Sequence, residues 1–492
     1  MTPKHIFSIS LLLTVSILAY SSPIYVKSDA SESGDGASWA TAFADLQDAI
    51  EAADAGDSIF VAKGVYKPTV KVAEVDDYDQ PTTDRDKSFI LKKDVKIFGG
   101  FAGTESDFAN RDWKTNVTTL SGDLGDEGDN SDNAYHVVFS IEDVGSARLD
   151  GFTITGGNAN GIDQINIGDI TFDRERGGGI CLMRSSPLLT NLIISENIAK
   201  IHGGGIRTNY FASPVLINVT ISGNTAHEGG GVYYNFSSPT MVNVTISGNT
   251  ATVHGGAMCN HYTNPILFNC LLVGNSKGEV YNVNSTSIST PLYYNTLVAG
   301  MAATSKYALL DGTNVTAEDV FVSPITPGLS TEGDFRLKEG CLAIGAGSTS
   351  YWTNKNLKNG SKSVLDLLGY ANMNKAKDLA GNKRAVEEID LGAYEFGDEP
   401  IGTECAGVSL ESAIMAYPTF AAAGQPVTVV ANLDETLLSE AVIKVFDSVG
   451  HLQFAVPVEG RTTQLQLPSA AGLYLLRFEA KGIANNLKVV VK

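Results

Sequence analysis

Short runs of alternating apolar and polar residues recur along the middle of the chain, and clusters of glycine separate them at a fixed interval. The clusters begin at Gly177, Gly203, Gly229 and Gly255, so the three steps between them are equal. Each interval holds stretches such as VLI at 215–217 and VTI at 219–221, each about the length of one short strand. The pattern predicts successive coils of chain, built from short strands that are joined by turns at constant positions.

A column of asparagines follows nearly the same period. Its members are Asn197, Asn224, Asn249 and Asn275. A repeat of roughly 26 residues is too short for a propeller blade or a βα unit, and it indicates a parallel β-helix whose neighbouring coils pair at about 4.8 Å. We therefore expect these asparagines to form a structural ladder of stacked amides, beside glycines that take positive φ at a corner.

The stretch before the first coils predicts a helix. The segment ATAFADLQDAIEAADAG, residues 40–56, places Phe43, Leu46, Ala49, Ile50 and Ala53 on one helical face, and Gly56 marks its end. An uncovered first coil would expose unpaired strand edges. We therefore expect this helix to cap the N-terminal end of the stack.

An insertion interrupts the repeat near residue 160. Gly157 occupies the ladder position, and the stretch from Gly157 to Asn197 is longer than one coil by about half a coil. The surplus lies around GIDQINIGDITFDR. It predicts a loop at 160–173 that projects from the stack and forms one wall of a cleft.

The chain changes character after residue 398. A polar, glycine-containing stretch at 399–411 predicts a linker, and residues 412–492 hold about seven strand-like stretches, typical of a small Ig-like β-sandwich. The predicted fold class is all-β, with a parallel β-helix at 22–398 followed by the sandwich.

The first residues have the pattern of an export signal. Lys4 and His5 precede an apolar run from Ile6 to Ala19, which ends in the pattern Ala19-Tyr20-Ser21, with small residues on either side of Tyr20. This predicts a secretory signal peptide at 1–21. The apolar run is short for a membrane-spanning helix, so we expect a soluble mature chain with no transmembrane segment, secreted or held at the cell surface.

Composition narrows the range of partners. The formal net charge is -20 at pH 7 and Lys and Arg are not clustered, which argues against a nucleic-acid partner. An acidic surface also repels polyanions unless a basic patch or Ca²⁺ intervenes. The cysteines show neither a disulfide framework nor a metal-binding spacing, and they lie at Cys181, Cys259, Cys270, Cys341 and Cys405.

One row of polar residues carries candidate catalytic chemistry. The position before each glycine cluster is Arg176, His202, Glu228 and His254 in successive coils. Imidazole and carboxylate groups roughly 5 Å apart could bind a divalent metal ion or share a proton, which makes Glu228, His202 and His254 candidate catalytic residues. The alternative is an exposed turn at which polar residues vary freely.

A second row follows the glycines and carries aromatic, amide and basic side chains. Aromatic faces interleaved with amides and arginine suit sugar rings, and the same residues also suit plain strand packing. The candidate substrate-binding residues are Arg207, Tyr210, Tyr233, Asn235, His261 and Tyr262.

An acidic loop is the candidate metal site. The stretch SGDLGDEGDNSDNAYH at 121–136 carries Asp123, Asp126 and Asp129, whose carboxylates could ligate Ca²⁺, although their spacing matches no EF-hand. The alternative is a solvated acidic loop. The sequence indicates no other cofactor.

Three segments resemble a known superfamily. They are SWATAFADLQDAIEAADAGDSIFVAKGVYKP, the repeated SGNTAxxxGGG unit and the terminal IDLGAYEF. Together they resemble secreted right-handed parallel β-helix proteins of the pectin-lyase-like superfamily, and the repeat is similar to that of polymorphic outer-membrane adhesins. The tail, with MAYPTF, GLYLLRF and KVVVK, resembles the C-terminal sorting domain of the type IX secretion system, although Tyr417-Pro418-Thr419 replaces the usual Tyr-Pro-Asn-Pro. This second resemblance implies export through that machinery.

Two functions stay open, because this superfamily includes lyases, hydrolases and non-catalytic surface proteins. The uniform coils favour a non-catalytic, glycan-binding or adhesive scaffold, whose partner would be a polysaccharide or a host or cell-surface glycan. The alternative is a polysaccharide lyase or glycoside hydrolase that acts in a groove on the flank of the β-helix, beside the 160–173 loop.

Overall fold

The protein is represented by a computed structural model, and two of the sequence predictions fall outside the part that it describes. The predicted signal peptide and linker both lie outside the described residues, as do Pro418 and Thr419. The chain divides into two compact units, Met1–Ile401 and Gly402–Lys492. The described residues are 23–30, 34–73, 82–126, 129–283, 289–304, 309–328, 333–353, 362–384, 389–396, 414–417, 420–421, 426–431, 441–447, 451–458, 462–468, 470, 472–480 and 483–491.

The first unit is mostly β, with three long parallel sheets. The large sheet has 15 strands: Ile24–Val26, Ser58–Ala62, Gly64–Tyr66, Lys96–Phe101, Thr118–Ser121, Arg148–Asp150, Thr153–Thr155, Leu188–Ser195, Val215–Ser222, Thr240–Ser247, Ile266–Phe268, Leu271–Leu272, Leu292–Tyr294, Thr296–Val298 and Leu309–Leu310. The seven-stranded sheet has Phe89–Ile90, Val138–Ile141, Ile180–Met183, Ile206–Asn209, Val232–Asn235, Met258–His261 and Val280–Val283. The four-stranded sheet has Asn158–Ala159, Ile198–Ala199, Thr225–Glu228 and Thr250–His254.

The chain visits these three sheets in a fixed order. One coil runs through Ile206–Asn209 of the seven-stranded sheet, Val215–Ser222 of the large sheet and Thr225–Glu228 of the four-stranded sheet. The next coil pairs with it in parallel, so that Ile206 lies beside Val232 and Leu216 lies beside Met241. The predicted stacking of parallel strands is therefore present, and the path is compatible with a parallel β-helix.

The interior of the stack is one continuous apolar core. Strand alternation turns Ile206, Leu216 and Val232 inward, and each is fully buried in the largest hydrophobic cluster. Corresponding residues of successive coils meet in the same columns, so each coil buries the apolar face of the coil before it.

The asparagine column runs along the corner between the large sheet and the four-stranded sheet. Asn224 donates from Nδ2 to Oδ1 of Asn249 at 2.9 Å, and Asn249 donates in the same way to Asn275 at 2.8 Å. The backbone N–H of Asn224 also donates to Oδ1 of Asn249. Nδ2 of Asn224 also donates to the backbone carbonyls of Ile194 and Ser222. Each amide therefore satisfies buried corner backbone as well as its neighbour in the column.

The ladder ends on partners that are not asparagine. At its start, the backbone N–H of Gly157 donates to Oδ1 of Asn197 at 3.0 Å. At its other end, the carboxyl of Glu279 accepts from the backbone N–H of Asn275 at 3.1 Å and from its Nδ2 at 2.6 Å. Glu279 is buried, and this burial raises the pKa of its carboxyl to about 7, against the opposing effect of the hydrogen bonds from Asn275.

A second asparagine column, which the sequence reading missed, lies on the outer face of the large sheet. Its members recur once per coil and all have positive φ, between 43° and 54°: Asn191, Asn218, Asn243, Asn269 and Asn295. The amides of Asn218 and Asn243 bind the segment that packs over this face, since they donate to the carbonyls of Lys377 and Asp390. Asparagine tolerates this left-handed conformation better than most side chains, which explains its use here.

The predicted N-terminal helix is present but shorter than the apolar pattern suggested. It spans Leu46–Ala52, after Asp45, whose side chain accepts from the backbone N–H groups of Gln47 and Asp48. Phe43 is not helical and instead forms a β-bridge with Val26. The helix lies against the first strand of the seven-stranded sheet, because the side-chain carbonyl of Gln47 accepts from the backbone N–H of Ile90 at 3.0 Å.

The insertion at 160–173 forms an antiparallel hairpin with strands Gln164–Ile167 and Ile170–Asp173. Ile165, Ile170 and Phe172 are buried against Phe139 and Cys181 on the outer face of the seven-stranded sheet. The hairpin therefore covers part of this sheet, because alternate residues of its two strands are apolar and need a surface to pack on.

The remaining helices of the first unit are short. The α-helices are Ala317–Val320, Ser350–Thr353 and Val364–Leu368, and the 3₁₀ turns are Trp39–Thr41, Asp84–Asp86, Phe108–Asn110 and Met373–Lys375. A small antiparallel pair joins Phe321–Ser323 to Asp334–Leu337.

The second unit contains two small, mostly antiparallel sheets. One has Ile414–Tyr417, Pro426–Ala431 and Thr462–Gln466, and the other has Phe420–Ala421, Val442–Phe446, Leu452–Pro457, Gly472–Ala480 and Ile483–Val491. Buried residues of both sheets, among them Val429, Val445 and Phe478, belong to one hydrophobic cluster. Each of the seven predicted strand stretches contains at least one strand.

Replacing Asn224 with leucine should destabilise the first unit. The change leaves Asn197 without its acceptor and two buried carbonyls without a donor, so we expect the free energy of unfolding to fall by about 1 to 3 kcal/mol. Urea unfolding followed by circular dichroism measures this. The control Asn110→Leu alters an exposed asparagine at a 3₁₀ turn and should change stability by less than about 0.5 kcal/mol. Equal effects of the two substitutions would show that the ladder bonds carry no stability.

Replacing Glu279 with glutamine should flatten the dependence of stability on pH. The folded pKa lies above the unfolded value, so the parent loses stability as pH rises from about 4.5 to about 7, by roughly 2 to 3 kcal/mol. Glutamine keeps an acceptor oxygen and cannot ionise. Melting temperatures at pH 5 and pH 8 should therefore differ less in Glu279→Gln than in the parent, and an unchanged difference would contradict the assignment.

Candidate functional site

The predicted catalytic row is contiguous in the structure. Parallel bridges join Arg176 to His202 and His202 to Glu228, and Glu228 lies in register with His254 on the neighbouring strand. Nε2 of His202 is 3.5 Å from Oε2 of Glu228. The row thus brings one carboxylate next to one imidazole, at a distance longer than a normal hydrogen bond.

Both histidines of this row are packed against tyrosine rings. His202 stacks on Tyr233 with 3.9 Å between ring centroids and 9° between ring planes, and His254 stacks on Tyr281 at 4.1 Å and 12°. Burial, followed by the nearby charges of Arg176 and Arg207, lowers the pKa of His202 to about 3. His202 is therefore neutral near pH 7, and no full ion pair with Glu228 forms there.

Two of the six predicted substrate-binding residues lie beneath other side chains. Arg207 is 3% exposed and Tyr233 is 5% exposed. The guanidinium of Arg207 lies 3.7 Å from Asp173 of the hairpin, and the ring of His202 covers Tyr233. Neither side chain therefore offers much surface to a ligand in this conformation.

The other four are half-buried and lie at the C-terminal ends of strands in the seven-stranded sheet: Tyr210, Asn235, His261 and Tyr262. Two residues that the site prediction left out lie among them, Phe211 with 78% of its surface exposed and Phe236 with 44%. We call these six residues the aromatic corner. The sequence repeat places Phe236 in the same row as two of the predicted residues, because Tyr210, Phe236 and Tyr262 occupy the same position in three successive repeats.

The aromatic corner has an unusual backbone. Tyr210, Phe236 and Tyr262 all have positive φ, at 53°, 44° and 54°, and Arg184 occupies the same position one coil earlier with a φ of 54°. Bulky residues rarely adopt this conformation, and such strain concentrates at functional positions. The three side chains lie beside the strand ends, and Tyr210 also packs against the hydrophobic cluster that contains Phe139 and Cys181.

Two neighbouring pairs in this row are in contact. Phe236 and Tyr262 stack with 4.8 Å between centroids and 8° between planes, and the guanidinium of Arg184 lies 5.7 Å from the ring centre of Tyr210. Nδ2 of Asn235 donates to Oδ1 of Asn209, and the buried Oδ1 of Asn235 has no hydrogen-bond partner in the described structure. The corner therefore contains a stacked pair of aromatic rings and, in the same group of residues, an amide oxygen without a hydrogen-bond partner.

The three carboxylates of the acidic loop have separate surroundings. Asp123 lies 3.6 Å from Lys67, and Asp129 accepts from the backbone N–H of Ser131 at 2.8 Å. The backbone N–H of Asp126 donates to Asp132. Among the described residues, no group of three or more His, Cys, Asp or Glu side chains is placed to hold a metal ion. A Ca²⁺ site here stays a prediction.

Two cysteines, Cys181 and Cys259, lie on strands of the seven-stranded sheet. The four described cysteines are free thiols, and Cys181, Cys259 and Cys270 are fully buried. Burial raises the pKa of the Cys181 thiol to about 11, so it is not a thiolate at neutral pH.

Comparisons with protein-family models, with curated proteins and with solved structures find no match to this chain. Over the described ranges, no helix combines the length and the apolar character needed to cross a membrane.

Replacing His202 with phenylalanine should reduce the sensitivity of the fold to acid. The folded pKa of His202 lies below its unfolded value near 6.5, so the parent loses stability as pH falls from 6.5 towards 3. Phenylalanine keeps the ring on Tyr233 and binds no proton. Between pH 7 and pH 5 we expect the parent to lose about 1 to 2 kcal/mol more unfolding free energy than His202→Phe. Equal losses, measured by urea unfolding, would mean that His202 is protonated in the folded chain.

Proposed function

We propose that the first unit is a right-handed parallel β-helix of the pectin-lyase-like type. We further propose that the second unit is an Ig-like sandwich that directs export by type IX secretion. The repeated path through three parallel sheets supports the first assignment. The two sheets that share one apolar core support the second, together with the tail motifs named above. On this proposal the mature protein is secreted or held at the cell surface.

We propose that this exported protein is a non-catalytic scaffold that binds glycan at the aromatic corner. The observation that carries the proposal is the row of Tyr210, Phe236 and Tyr262, which repeats once per coil with strained backbone and partly exposed rings. Exposed aromatic carbon suits the apolar faces of sugar rings, and a small turn of the Asn235 side chain would offer its unpartnered oxygen to a hydroxyl donor. One such position per coil fits a polymer that lies along the stack.

The polar row supports a catalytic role less well. Hydrolysis by a glycosidase generally needs two carboxyl groups on either side of the scissile bond, and this row supplies one, Glu228. Its neighbour His202 is neutral and holds its ring against Tyr233. The polar row is therefore better suited to side-chain packing than to proton transfer. A lyase or hydrolase is the alternative function.

A glycan-array screen of the purified protein, with Ca²⁺ and with a chelator, tests the proposal. Any hit is then incubated with the protein and assayed for unsaturated uronate by absorbance and for new reducing ends. Binding without products supports a scaffold. New reducing ends that disappear in Glu228→Gln would instead establish the enzyme, and the absorbance would separate a lyase from a hydrolase.

Replacing the exposed rings should weaken binding of the glycan that the array identifies. We expect Phe236→Ala and Tyr262→Ala each to raise the dissociation constant about tenfold, because each removes an aromatic contact worth roughly 1 to 1.5 kcal/mol. Isothermal titration calorimetry measures the change. The matched control is Phe108→Ala, which removes a ring of similar exposure, 43%, in the 3₁₀ turn Phe108–Asn110. A loss in the control with none in the corner variants would place the glycan elsewhere.

A further inference from the structure

A cleft on the outer face of the large sheet contains a second set of chemically distinctive residues. It encloses about 660 Å³ between the strands of the first coils and the short helix Val364–Leu368. The helix is fixed to this wall, because Nη1 of Arg148 donates to the carbonyl of Leu367 at 3.0 Å. The volume lies in the range of sites for small organic ligands.

The floor of the cleft is aromatic. Phe60, Phe98 and Phe108 lie against one another, with 5.5 Å between the ring centroids of Phe60 and Phe108 and 5.0 Å between those of Phe98 and Phe108. Leu188 and Val215 extend the apolar surface along the same face. Phe108 keeps 43% of its surface exposed within this setting. A flat apolar group would therefore gain contact area here.

The rim of the cleft carries an excess of positive charge. Lys96 and Arg148 lie directly beside each other on paired strands, and Lys362 lines the same space. Arg148 and Arg111 both contact the single carboxylate of Asp150, and each guanidinium also lies over the ring of Phe98, at 5.2 and 5.4 Å.

Lys96 has no counter-charge in this arrangement. Among the described residues its amine has no ion pair and no hydrogen bond. The neighbouring cation Arg148, on the paired strand, repels it. The carboxylate of Asp366 also lines the cleft, and it accepts from the backbone N–H and the hydroxyl of Ser363 at the start of the helix. The formal net charge of the chain is -20. Lys96, Arg148 and Lys362 nevertheless create a local positive potential over the apolar floor of the cleft.

We propose that this cleft is a binding site for a small organic anion with a flat apolar ring system. The ring lies on Phe60 and Phe108, which Phe98 supports from beneath, and the anionic group lies beside the amine of Lys96. Apolar burial supplies most of the affinity, and the unpaired ammonium selects for negative charge. The site is on a different sheet from the aromatic corner, so the test of anion binding is independent of the test of glycan binding.

Two fluorescent probes that share a ring system test the charge requirement in the full chain. 8-Anilinonaphthalene-1-sulfonate carries a sulfonate, and N-phenyl-1-naphthylamine is its uncharged counterpart. Fluorescence titration should show saturable binding of the sulfonate, at least about tenfold tighter than binding of the neutral probe, as expected for one charge-assisted contact of roughly 1.5 kcal/mol. Equal affinities, or no saturable binding of the sulfonate, would overturn the proposal.

Substitutions then locate the site. Lys96→Gln should weaken sulfonate binding about tenfold and leave the neutral probe unchanged, whereas Phe108→Ala should weaken both. The matched control Lys277→Gln makes the same charge change at an exposed lysine outside the cleft and should alter neither. Unchanged melting temperatures confirm that each variant is folded. If Lys96→Gln and Lys277→Gln have the same effect on sulfonate binding, the anion does not bind at this cleft.

Discussion

The corner between the large sheet and the four-stranded sheet must satisfy buried backbone groups in every coil, and the asparagine ladder does this. Each amide serves the coil on either side of it and the turn that carries it, as Asn224 does through Asn197, Asn249 and two carbonyls. The neighbouring glycines have little freedom to change, because a Cβ on Gly205 would lie 2.6 Å from the carbonyl oxygen of Gly231 in the next coil. The constant spacing of the repeat follows from keeping these contacts in register.

The outer surfaces are free of this constraint, and the distinctive chemistry of the molecule is found there. The aromatic corner lies at the end of the seven-stranded sheet, and the charged cleft lies on the large sheet. The remaining outer face is used for packing, with the hairpin on one sheet and the segment that contains Lys377 and Asp390 on another. Coils that share the same interior contacts therefore carry different residues on their outer faces.

The inner columns could be predicted from the sequence because the same residue recurs wherever the same contact recurs. Asn224 and Gly229 are recognisable for this reason alone. Asn218 was overlooked because a single polar residue between apolar neighbours also fits ordinary strand alternation, and only the backbone reveals its positive φ. The position of Phe236 was available from the repeat, but its stacking on Tyr262 was not.

The burial of Arg207 and Tyr233 depends on contacts that cannot be predicted from the spacing of residues in the sequence. His202 folds back over the ring of Tyr233 in the next coil, and Asp173 reaches Arg207 from the hairpin. The hairpin itself was expected to project, and it packs flat because its apolar residues face Cys181 and Phe139. The cleft brings together residues as far apart in the sequence as Phe60 and Leu367, so no local sequence pattern predicts it.

The two ends of the asparagine ladder have a consequence for how such a molecule changes in size. Gly157 and Glu279 close the ladder with groups that differ from its repeating unit, so the internal coils are interchangeable while the terminal contacts are not. Gain or loss of one internal coil would preserve every ladder contact. It would also add or remove one position in the row of Tyr210, Phe236 and Tyr262, because both columns share the same period. The number of coils and the number of aromatic positions in this row are therefore coupled, and both change by whole coils.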